Sequence, residues 1–535
     1  MQTASPTPDR NHPWRTAALL AGVTLAAFIP TLSADFVYDA RLQVLTDPFL
    51  HDPQNWWPVL TFQTLGMDVL DFNRPVNLAS LMLDAAVWGR DPFGYHLSSV
   101  LLHAANVVLV WAVGRRLLAE RVGAGGPETA ASAPWLAAAG PILPAVFFAV
   151  HPLVTEAVCE PSFREDLLAA CFTLAALLVA MRHEPRGTSG DPWRAVAIGG
   201  CCLLAIGSKE SGVAAPAILA AYWWCFRRGE PRRFWAAAIG GGAAAVAVFL
   251  ALRFRLEVVP SRIFEYRPEY PGGSLATALT VVPRILALYA QLIVAPVNQC
   301  ADYGLYSARH LPMPVSLVIV AGCALAALLG IRRDRRLAVA VAVIVLPLLP
   351  VANLVPIYRA AADRYLYLPL AGVALAAGCL LDAPWLRGRD ALRRNAALGF
   401  AALIAVLAVG CTARQRVWTG SLALWTDTFR KNPVSFTAAA GLAEALREAG
   451  RLVEAEQAAR AAVQLSGGER GEAWATLALV LDDQGRAAEA AEALDKALAA
   501  EPRLASPMER VAVMAMERPH AEALERLLAR RKGQP

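Results

Sequence analysis

Long apolar segments alternate with short Arg-rich loops from residue 15 to about residue 411. A helix needs roughly 20 apolar residues to cross a bilayer. Segments near that length lie at about 15–33, 96–117, 135–150, 166–181, 195–207, 211–226, 235–252, 314–331, 337–352, 365–381 and 395–412. The shorter ones need tilt or local thinning of the bilayer. The pattern predicts an all-α, polytopic membrane protein with about eleven transmembrane helices.

After residue 425 the pattern changes, because no membrane-length apolar run follows and the helical patterns become amphipathic and Ala-rich. Gly441-Leu-Ala443 and Gly450-Arg451 recur 35 residues later as Thr476-Leu-Ala478 and Gly485-Arg486. Two helices per unit, with a Gly-Arg turn and small residues at packing positions, resemble the tetratricopeptide repeat, whose period is 34 residues. Such repeats stack into a superhelix with a concave face.

The two patterns predict a membrane domain at 1–412, a linker at 413–432 and a tetratricopeptide-like repeat domain at 433–535. We expect the repeat domain to bind a peptide or protein and to carry no chemistry of its own. A generic helical bundle is the alternative interpretation of these residues.

Arginine clusters follow every second apolar segment. They are Arg115-Arg116 with Arg121, Arg182 with Arg186, Arg227-Arg228 with Arg232-Arg233, Arg332-Arg333 with Arg335-Arg336, and Arg387, Arg389, Arg393 and Arg394. Because loops rich in Arg and Lys stay in the cytoplasm, the N-terminus is predicted to be cytoplasmic and the repeat domain periplasmic or extracellular. This assignment requires that residues 275–298 do not cross. We expect a re-entrant or interfacial helix there, because Pro283, Arg284 and Pro296 interrupt the segment.

The composition is typical of a membrane protein, with 56% hydrophobic residues, 18% charged residues and a mean hydropathy of +0.42. The net charge of +6 does not indicate nucleic-acid binding, because the arginines lie between apolar runs, where membrane topology explains them. The first apolar run is nearly membrane-length, which favours an uncleaved signal anchor over a cleaved signal peptide. The use of Arg and Ala favours a bacterium with a GC-rich genome, and hence its inner membrane.

Ionisable side chains are expensive at membrane depth, so those present are functional candidates. They gather at segment ends that the topology places outside, and the candidates are Asp39, Arg74, His151, Glu156, Arg164, Asp166, Lys209, Asp302, Arg364 and Tyr365. Arg and Lys suit a lipid-linked phosphate, and a carboxylate can take a proton from an attacking hydroxyl. Together they predict glycosyl transfer from a polyprenyl-phosphate sugar. Each residue also has a structural interpretation as an anchor, a cap or a turn former.

Several strings in this region carry a family resemblance. They are Asp35-Phe-Val-Tyr-Asp39, Asn73-Arg-Pro75, Asp91-Pro-Phe-Gly-Tyr-His96, Leu101-Leu-His103, His151-Pro-Leu-Val-Thr-Glu-Ala157, Arg164-Glu-Asp-Leu167, Ser208-Lys-Glu-Ser-Gly212, Ala301-Asp-Tyr303, Asp363-Arg-Tyr-Leu-Tyr-Leu-Pro369 and Trp425-Thr-Asp-Thr-Phe-Arg-Lys-Asn-Pro433. In this order the chain resembles the transmembrane and tetratricopeptide-repeat O-mannosyltransferases, and their bacterial relatives, of the GT-C superfamily.

The resemblance implies a GT-C architecture and inverting transfer of a sugar, often mannose, from a dolichyl- or polyprenyl-phosphate carrier to a protein hydroxyl. Asp39 matches the first acid of the family's outer loop and is the candidate general base. The candidate phosphate ligands are Arg74, Arg164, Lys209 and Arg364. The expected partners are the lipid-linked sugar, an acceptor protein held by the repeats, and membrane lipid.

The chain also departs from the family's pattern. Ala40 stands where a second acid is usual, Glu165 lies between Arg164 and Asp166, and Asp363 replaces a Glu. No metal or other cofactor is indicated, although the missing second acid leaves metal assistance open. Three alternatives therefore remain: transfer to a glycan or lipid, a catalytically degenerate membrane-anchored scaffold, and a lipid-sugar transporter.

Overall fold

A computed structural model describes residues 13–67, 69–120, 134–182, 192–256, 270, 273–304, 311–355, 357–386, 389–506 and 518–531. These residues form α-helices, short 3-10 and π-helical turns, and no strand. The predicted all-α class is confirmed.

The longer helices are numbered in chain order. They are α1 (Pro13–Ala27), α2 (Pro75–Trp88), α3 (Pro92–Ala119), α4 (Pro134–Val150), α5 (Arg164–Ala180), α6 (Pro192–Ser208), α7 (Ala215–Tyr222), α8 (Arg232–Leu256), α9 (Leu275–Val294), α10 (Met313–Arg333), α11 (Arg335–Val345), α12 (Tyr367–Leu381), α13 (Asp390–Gln415), α14 (Ser421–Lys431), α15 (Phe436–Glu448), α16 (Leu452–Leu465), α17 (Gly471–Asp483), α18 (Ala487–Ala500) and α19 (Arg518–Arg531).

Six helices of the described chain are long and apolar enough to cross a membrane, or up to eight if two bent pairs each count as one span. The six include α3, α8, α9 and α10, together with α12 and α13 and their flanking turns. The bent pairs begin with α1 and α4. The segments predicted at 166–181, 195–207, 211–226 and 337–352 fall on the shorter helices α5, α6, α7 and α11. That these four segments cross the membrane, as a total of eleven crossings requires, therefore remains a prediction.

Helix α9 differs from its prediction. It runs without a break from Leu275 to Val294, straight through Pro283 and Arg284, after a capping box formed by Ser274 and Thr277. A proline inside a helix removes one backbone hydrogen bond but does not have to end the helix. The expectation that these two residues interrupt the segment is wrong.

The membrane helices approach each other closely where small residues permit it. A Cβ added at Gly372 on α12 would lie 2.8 Å from the carbonyl oxygen of Ala340 on α11. Glycine therefore lets the two backbones touch, as small residues commonly do between membrane helices. The buried core continues from α3 through α4, α5 and α12.

The C-terminal part consists of the helical hairpins α15–α16 and α17–α18, as the 35-residue repeat predicts. Gly450 and Gly485 end the first helix of each pair with φ of 70° and 78°, a left-handed conformation that glycine adopts without steric cost. The predicted linker at 413–432 is largely helical, because α13 continues to Gln415 and α14 follows. Helix α14 packs on α15 and also reaches the membrane part.

Candidate active site

Asp39 lies in the second arm of the bent helix pair that begins with α1, in a short helical turn at Tyr38–Ala40. Its side chain is exposed, whereas the neighbouring Ala40 is fully buried. The charges of Arg364, Arg359, Glu165 and Arg74 act on its carboxylate. The fold therefore brings an accessible carboxylate together with cations that are distant in the sequence.

Arg74 is the centre of the first ion-pair network. It precedes Pro75 at the start of α2, and its guanidinium pairs with Asp71 (2.9 Å), Glu165 and Glu210 (3.2 Å). Lys209 continues the network, because its Nζ pairs with Glu165 (3.1 Å) and with Asp166. Glu165 and Asp166 lie in the first turn of α5, where a helix dipole favours carboxylates.

Arg364 forms the second network with Glu156. The two side chains form an ion pair, and the backbone N–H of Arg364 donates to the same carboxylate (3.3 Å). The guanidinium carbon lies 3.9 Å from the centre of the Phe163 ring. Tyr365 connects the two networks, since the Lys209 Nζ lies 5.2 Å from its ring centre. Within the described chain, the buried Nε of Arg364 has no hydrogen-bond partner.

Asp302 was predicted to bind substrate, but the structure places it between the membrane part and the repeats. One carboxylate oxygen accepts from Arg359 (2.9 Å), and the other accepts from the Ser435 hydroxyl (2.5 Å). Ser435 is the N-cap of α15. Asp302 therefore docks the first repeat helix and holds Arg359 near Asp39.

Arg164, predicted as a phosphate ligand, lies in a buried ion pair with a carboxylate other than Asp39. Its guanidinium is 2% exposed and forms an ion pair with Asp84 (2.6 Å). Its remaining donors bond Ser80, Ser99 and the carbonyl of Tyr95. Because every donor nitrogen is occupied by the protein, Arg164 stabilises the packing of α2, α3 and α5 and has no group left for a phosphate.

His151 is likewise a packing residue. One ring nitrogen accepts the backbone N–H of Leu153 (3.2 Å), and the other contacts the carbonyl of Ile293 (3.1 Å). The ring is fully buried. Of the two interpretations that the sequence allows, the structure favours the helix-end histidine.

Three further residues belong to this region and were not predicted as site residues. Glu160 is fully buried and accepts the backbone N–H of Ala40 (2.8 Å) and the hydroxyl of Ser162 (2.6 Å). Burial, together with the nearby Asp39 carboxylate, raises the pKa of Glu160 above its usual range. Arg359 pairs with Asp302, and Arg253 pairs with Glu210 (3.1 Å). Their only signal in the sequence is a charged residue in a predicted outer loop.

The described residues contain no group of three or more His, Cys, Asp or Glu side chains arranged to hold a metal ion. Metal assistance, which the missing second acid left open, has no candidate ligand set in this part of the chain. The carboxylates near Asp39 instead pair with arginine and lysine.

Comparison with curated proteins finds relatives that share one description. Protein O-mannosyl-transferase TMTC2 of Mus musculus is 32% identical over 206 residues, covering 37% of this chain and 22% of that protein. Protein O-mannosyl-transferase Tmtc1 of Drosophila melanogaster is 33% identical over 192 residues, covering 33% of this chain and 20% of that protein. Protein O-mannosyl-transferase F38B6.6 of Caenorhabditis elegans is 22% identical over 478 residues, covering 84% of this chain and 62% of that protein. The match thus spans about a fifth of the mouse and fly relatives.

Among solved structures, ArnT from Cupriavidus metallidurans bound to undecaprenyl phosphate aligns with 92% of this chain and 80% of its own, with a TM-score of 0.40 and 15% identity. No family model matches the chain. In sequence, this chain is similar to proteins of mouse, fly and nematode that are all named protein O-mannosyl-transferase, the same class of protein that the order of its motifs resembles.

Proposed function

We propose that this chain is an integral membrane glycosyltransferase that moves a sugar from a polyprenyl-phosphate carrier to a hydroxyl group of a protein. The observation that carries the proposal is the exposed Asp39 carboxylate, on which the charges of Arg364, Arg359 and Arg74 act. The relatives named as O-mannosyltransferases support transferase chemistry and make mannose the first sugar to test.

The proposed step is an inverting displacement at the anomeric carbon of the sugar. The acceptor oxygen bonds to that carbon while the bond from the carbon to the carrier phosphate breaks, and the phosphate leaves with its lipid. Asp39 takes the proton of the acceptor hydroxyl as general base. Cations nearby stabilise the charge that grows on the departing phosphate, an electrostatic effect that commonly dominates catalysis.

The basic residues differ in how well they suit the phosphate. The side chains of Arg359 and Arg74 are 29% and 23% exposed, and Arg364 has an unpartnered Nε in the described chain. Lys209 is 3% exposed, and its compact ammonium lacks the planar fork of a guanidinium. We therefore assign the carrier phosphate to Arg74, Arg359 and Arg364, which can bind phosphate oxygens in a bidentate manner. Lys209 and Asp166 order the Arg74 side of the site.

The pairing of loops supports the proposed orientation. Arg227, after the sixth apolar segment, pairs with Glu120 after the second. Arg336, after the eighth segment, pairs with Asp382 after the tenth (2.7 Å). The Arg-rich loops thus meet one another, separately from the Asp39 region, and the positive-inside rule assigns them to the cytoplasm. Asp39 and the repeats then face the periplasm of a bacterial inner membrane.

Helix α9 fits this orientation if it lies along the outer surface. The Tyr270 hydroxyl, before its first turn, donates to the carbonyl of Leu354 (3.4 Å). At its other end, the carbonyl of Ile293 contacts His151 (3.1 Å). Both partners belong to segments that the topology places outside, although the length and composition of α9 also suit a crossing.

The proposal is tested by incubating the purified full-length protein, in lipid, with radiolabelled polyprenyl-phosphate mannose and a mixture of secreted acceptor proteins. Asp39→Asn is expected to abolish labelling of protein, whereas Asp35→Asn, an exposed acid in the same loop, is expected to retain it. Full activity of Asp39→Asn would remove Asp39 from the mechanism. Carrier binding without transfer by the unaltered protein would favour the scaffold or the transporter, and labelled glycan or lipid would change the acceptor class.

The orientation has its own experiment. Protease added to sealed cells with a permeabilised outer membrane is expected to cleave the repeat domain. Protection there, with cleavage in inverted inner-membrane vesicles, would reverse the assignment of the arginine loops.

A further inference from the structure

Helix α14, the turn before it and the first repeat helix contact the polypeptide on both sides of Asp39. The carbonyl of Thr419 accepts the backbone N–H of Asp35 (3.1 Å). The Tyr38 ring stacks on Trp425, with ring centres 5.3 Å apart and an angle of 29° between the planes. Arg41 donates to the Ser421 hydroxyl (2.8 Å) and pairs with Glu448 (2.8 Å). Residues between 419 and 448 therefore contact the Asp39 loop at Asp35 and Tyr38, before Asp39, and at Arg41, after it.

The loop needs such support because its backbone is strained. Tyr38, next to Asp39, has φ of 52°, the left-handed region that a bulky side chain rarely adopts. Such a conformation persists when the surroundings over-determine it. The Tyr38 ring lies against Phe163, with centres 5.6 Å apart, as well as against Trp425. Glu160 adds one more constraint by accepting the Ala40 N–H (2.8 Å).

The indole of Trp425 is itself wedged in place by the first repeat helix. A Cβ added at Gly441 on α15 would come within 2.4 Å of the Trp425 ring, so only glycine permits this contact. Gly441 is also the residue that opens the repeated motif. A chain of direct contacts therefore runs from α15 through Trp425 and Tyr38 to the residue beside Asp39.

We infer that Trp425 on α14 is a positioning residue, and that α14 together with the first repeat helix α15 is a structural part of the active site, in addition to the role of the repeats in holding the acceptor. Trp425 and Gly441 keep Tyr38 in its left-handed conformation, which fixes the direction of the Asp39 carboxylate. Displacement of α14 or α15 is then transmitted to Asp39. The part of this inference that concerns catalysis rests on the proposed function, whereas the part that concerns the order of the loop does not.

Hydrogen exchange of the full-length protein in lipid nanodiscs tests the order of the loop directly. Tryptophan fluorescence would not serve, because the chain has 14 tryptophans. In Trp425→Ala and Gly441→Ala, amides of residues 35–46 are expected to exchange about tenfold faster or more, as in a segment that opens locally. Trp425→Phe, which keeps an aromatic plane against Tyr38, is expected to restore most of the protection.

Two variants serve as matched controls. Gly399→Ala makes the same change in a helix where a Cβ would meet nothing within 4 Å, and Trp474→Ala removes an indole in the second repeat. Neither is expected to alter exchange of residues 35–46. Unchanged exchange in both Trp425→Ala and Gly441→Ala would overturn the inference. So would a rise spread over all helices, because the effect would then be one of global stability.

Kinetics separate this inference from the proposed function. If Asp39 is the base, Trp425→Ala lowers kcat about tenfold or more with little change in KM for the carrier, since the loss falls on the chemical step. Trp425→Phe recovers most of kcat. Faster exchange of the loop with undiminished kcat would overturn the positioning role of Trp425 in catalysis, whereas the proposed role of Asp39, which Asp39→Asn tests, would stand.

Discussion

Arginine–carboxylate pairs occur in both parts of this protein, but their surroundings differ. In the repeats, Arg451 and Glu454 are three residues apart at the start of α16 and are about half exposed. In the membrane part, Arg164 and Asp84 come from different helices and are 2% and 6% exposed. An exposed pair competes with water and contributes little. A buried pair leaves an uncompensated charge when one partner is lost. The same residue types therefore mark solvated surface in one region and fold-determining contacts in the other.

The largest effect on the free energy of unfolding is expected when a buried ion pair is broken. Arg164→Ala is expected to destabilise the protein by about 3–5 kcal/mol, because Asp84 would remain charged and buried. The thermal unfolding midpoint in detergent measures this loss. Arg164→Met combined with Asp84→Leu is expected to recover much of it, since neither charge then remains. An unchanged midpoint in Arg164→Ala would contradict the packing role and return Arg164 to the list of phosphate ligands.

Arg364 lies between the two extremes, because it is buried and paired with Glu156, yet its Nε has no hydrogen-bond partner among the described residues. Arg364→Lys keeps the charge and loses the planar bidentate fork. We expect KM for the polyprenyl-phosphate sugar to rise about tenfold or more, with little change in the unfolding midpoint, as the ion pair with Glu156 can persist. Arg116→Lys, at the opposite end of the helices, is the control. Equal KM values would exclude Arg364 as a phosphate ligand.

A smaller effect is expected where α14 meets the membrane part. Burial alone would raise the pKa of Asp427, but Lys431, Arg414 and Arg430 outweigh it, so the pKa lies below its usual value. A depressed folded-state pKa means that the stabilisation is present above the unfolded pKa of about 4 and is lost as pH falls through the folded pKa. The midpoint difference between the unaltered protein and Asp427→Asn should therefore shrink as pH falls from 6 towards 3. A difference independent of pH would contradict this.

The smallest effect belongs to the exposed pairs of the repeats. Arg451→Ala is expected to leave the unfolding midpoint unchanged within error, and added salt should not separate the variant from the unaltered protein. A clear loss of stability would show that α15 and α16 depend on this pair and would weaken the contrast between the two regions.

The sequence predicts the helical class and the extent of the apolar helices well, because the spacing of hydrophobic residues depends directly on whether a segment faces lipid or water. Within the described residues the apolar runs are helices and the 35-residue repeat is a pair of hairpins, and the resemblance to O-mannosyltransferases agrees with the names of the curated relatives. The sequence wrongly predicts an interruption at Pro283, because helix α9 continues through the proline despite the loss of one backbone hydrogen bond. It also assigns 413–432 to a linker, although the region contains α14.

The candidate site, too, can be predicted from the sequence only in part. Asp39, Arg74 and Arg364 can be selected from the sequence, because charged residues at the ends of apolar runs are rare. The sequence cannot distinguish Arg364 from Arg164, since both follow an acidic or aromatic neighbour at a span end. Only the structure reveals that the nitrogens of Arg164 are all occupied by protein partners, whereas the Nε of Arg364 has none within the described part of the chain.

By itself, the sequence determined the helical class, the change from membrane to repeat and the residue types available for phosphate and proton chemistry. Those properties depend on local composition and periodicity, which do not depend on which distant segments pack together. The tertiary structure decided which charges meet Asp39, that Asp302 joins the repeats instead of lining the site, and that Trp425 lies beside Tyr38. Such contacts join residues up to several hundred positions apart, and no local pattern records which pairs of distant helix ends will meet.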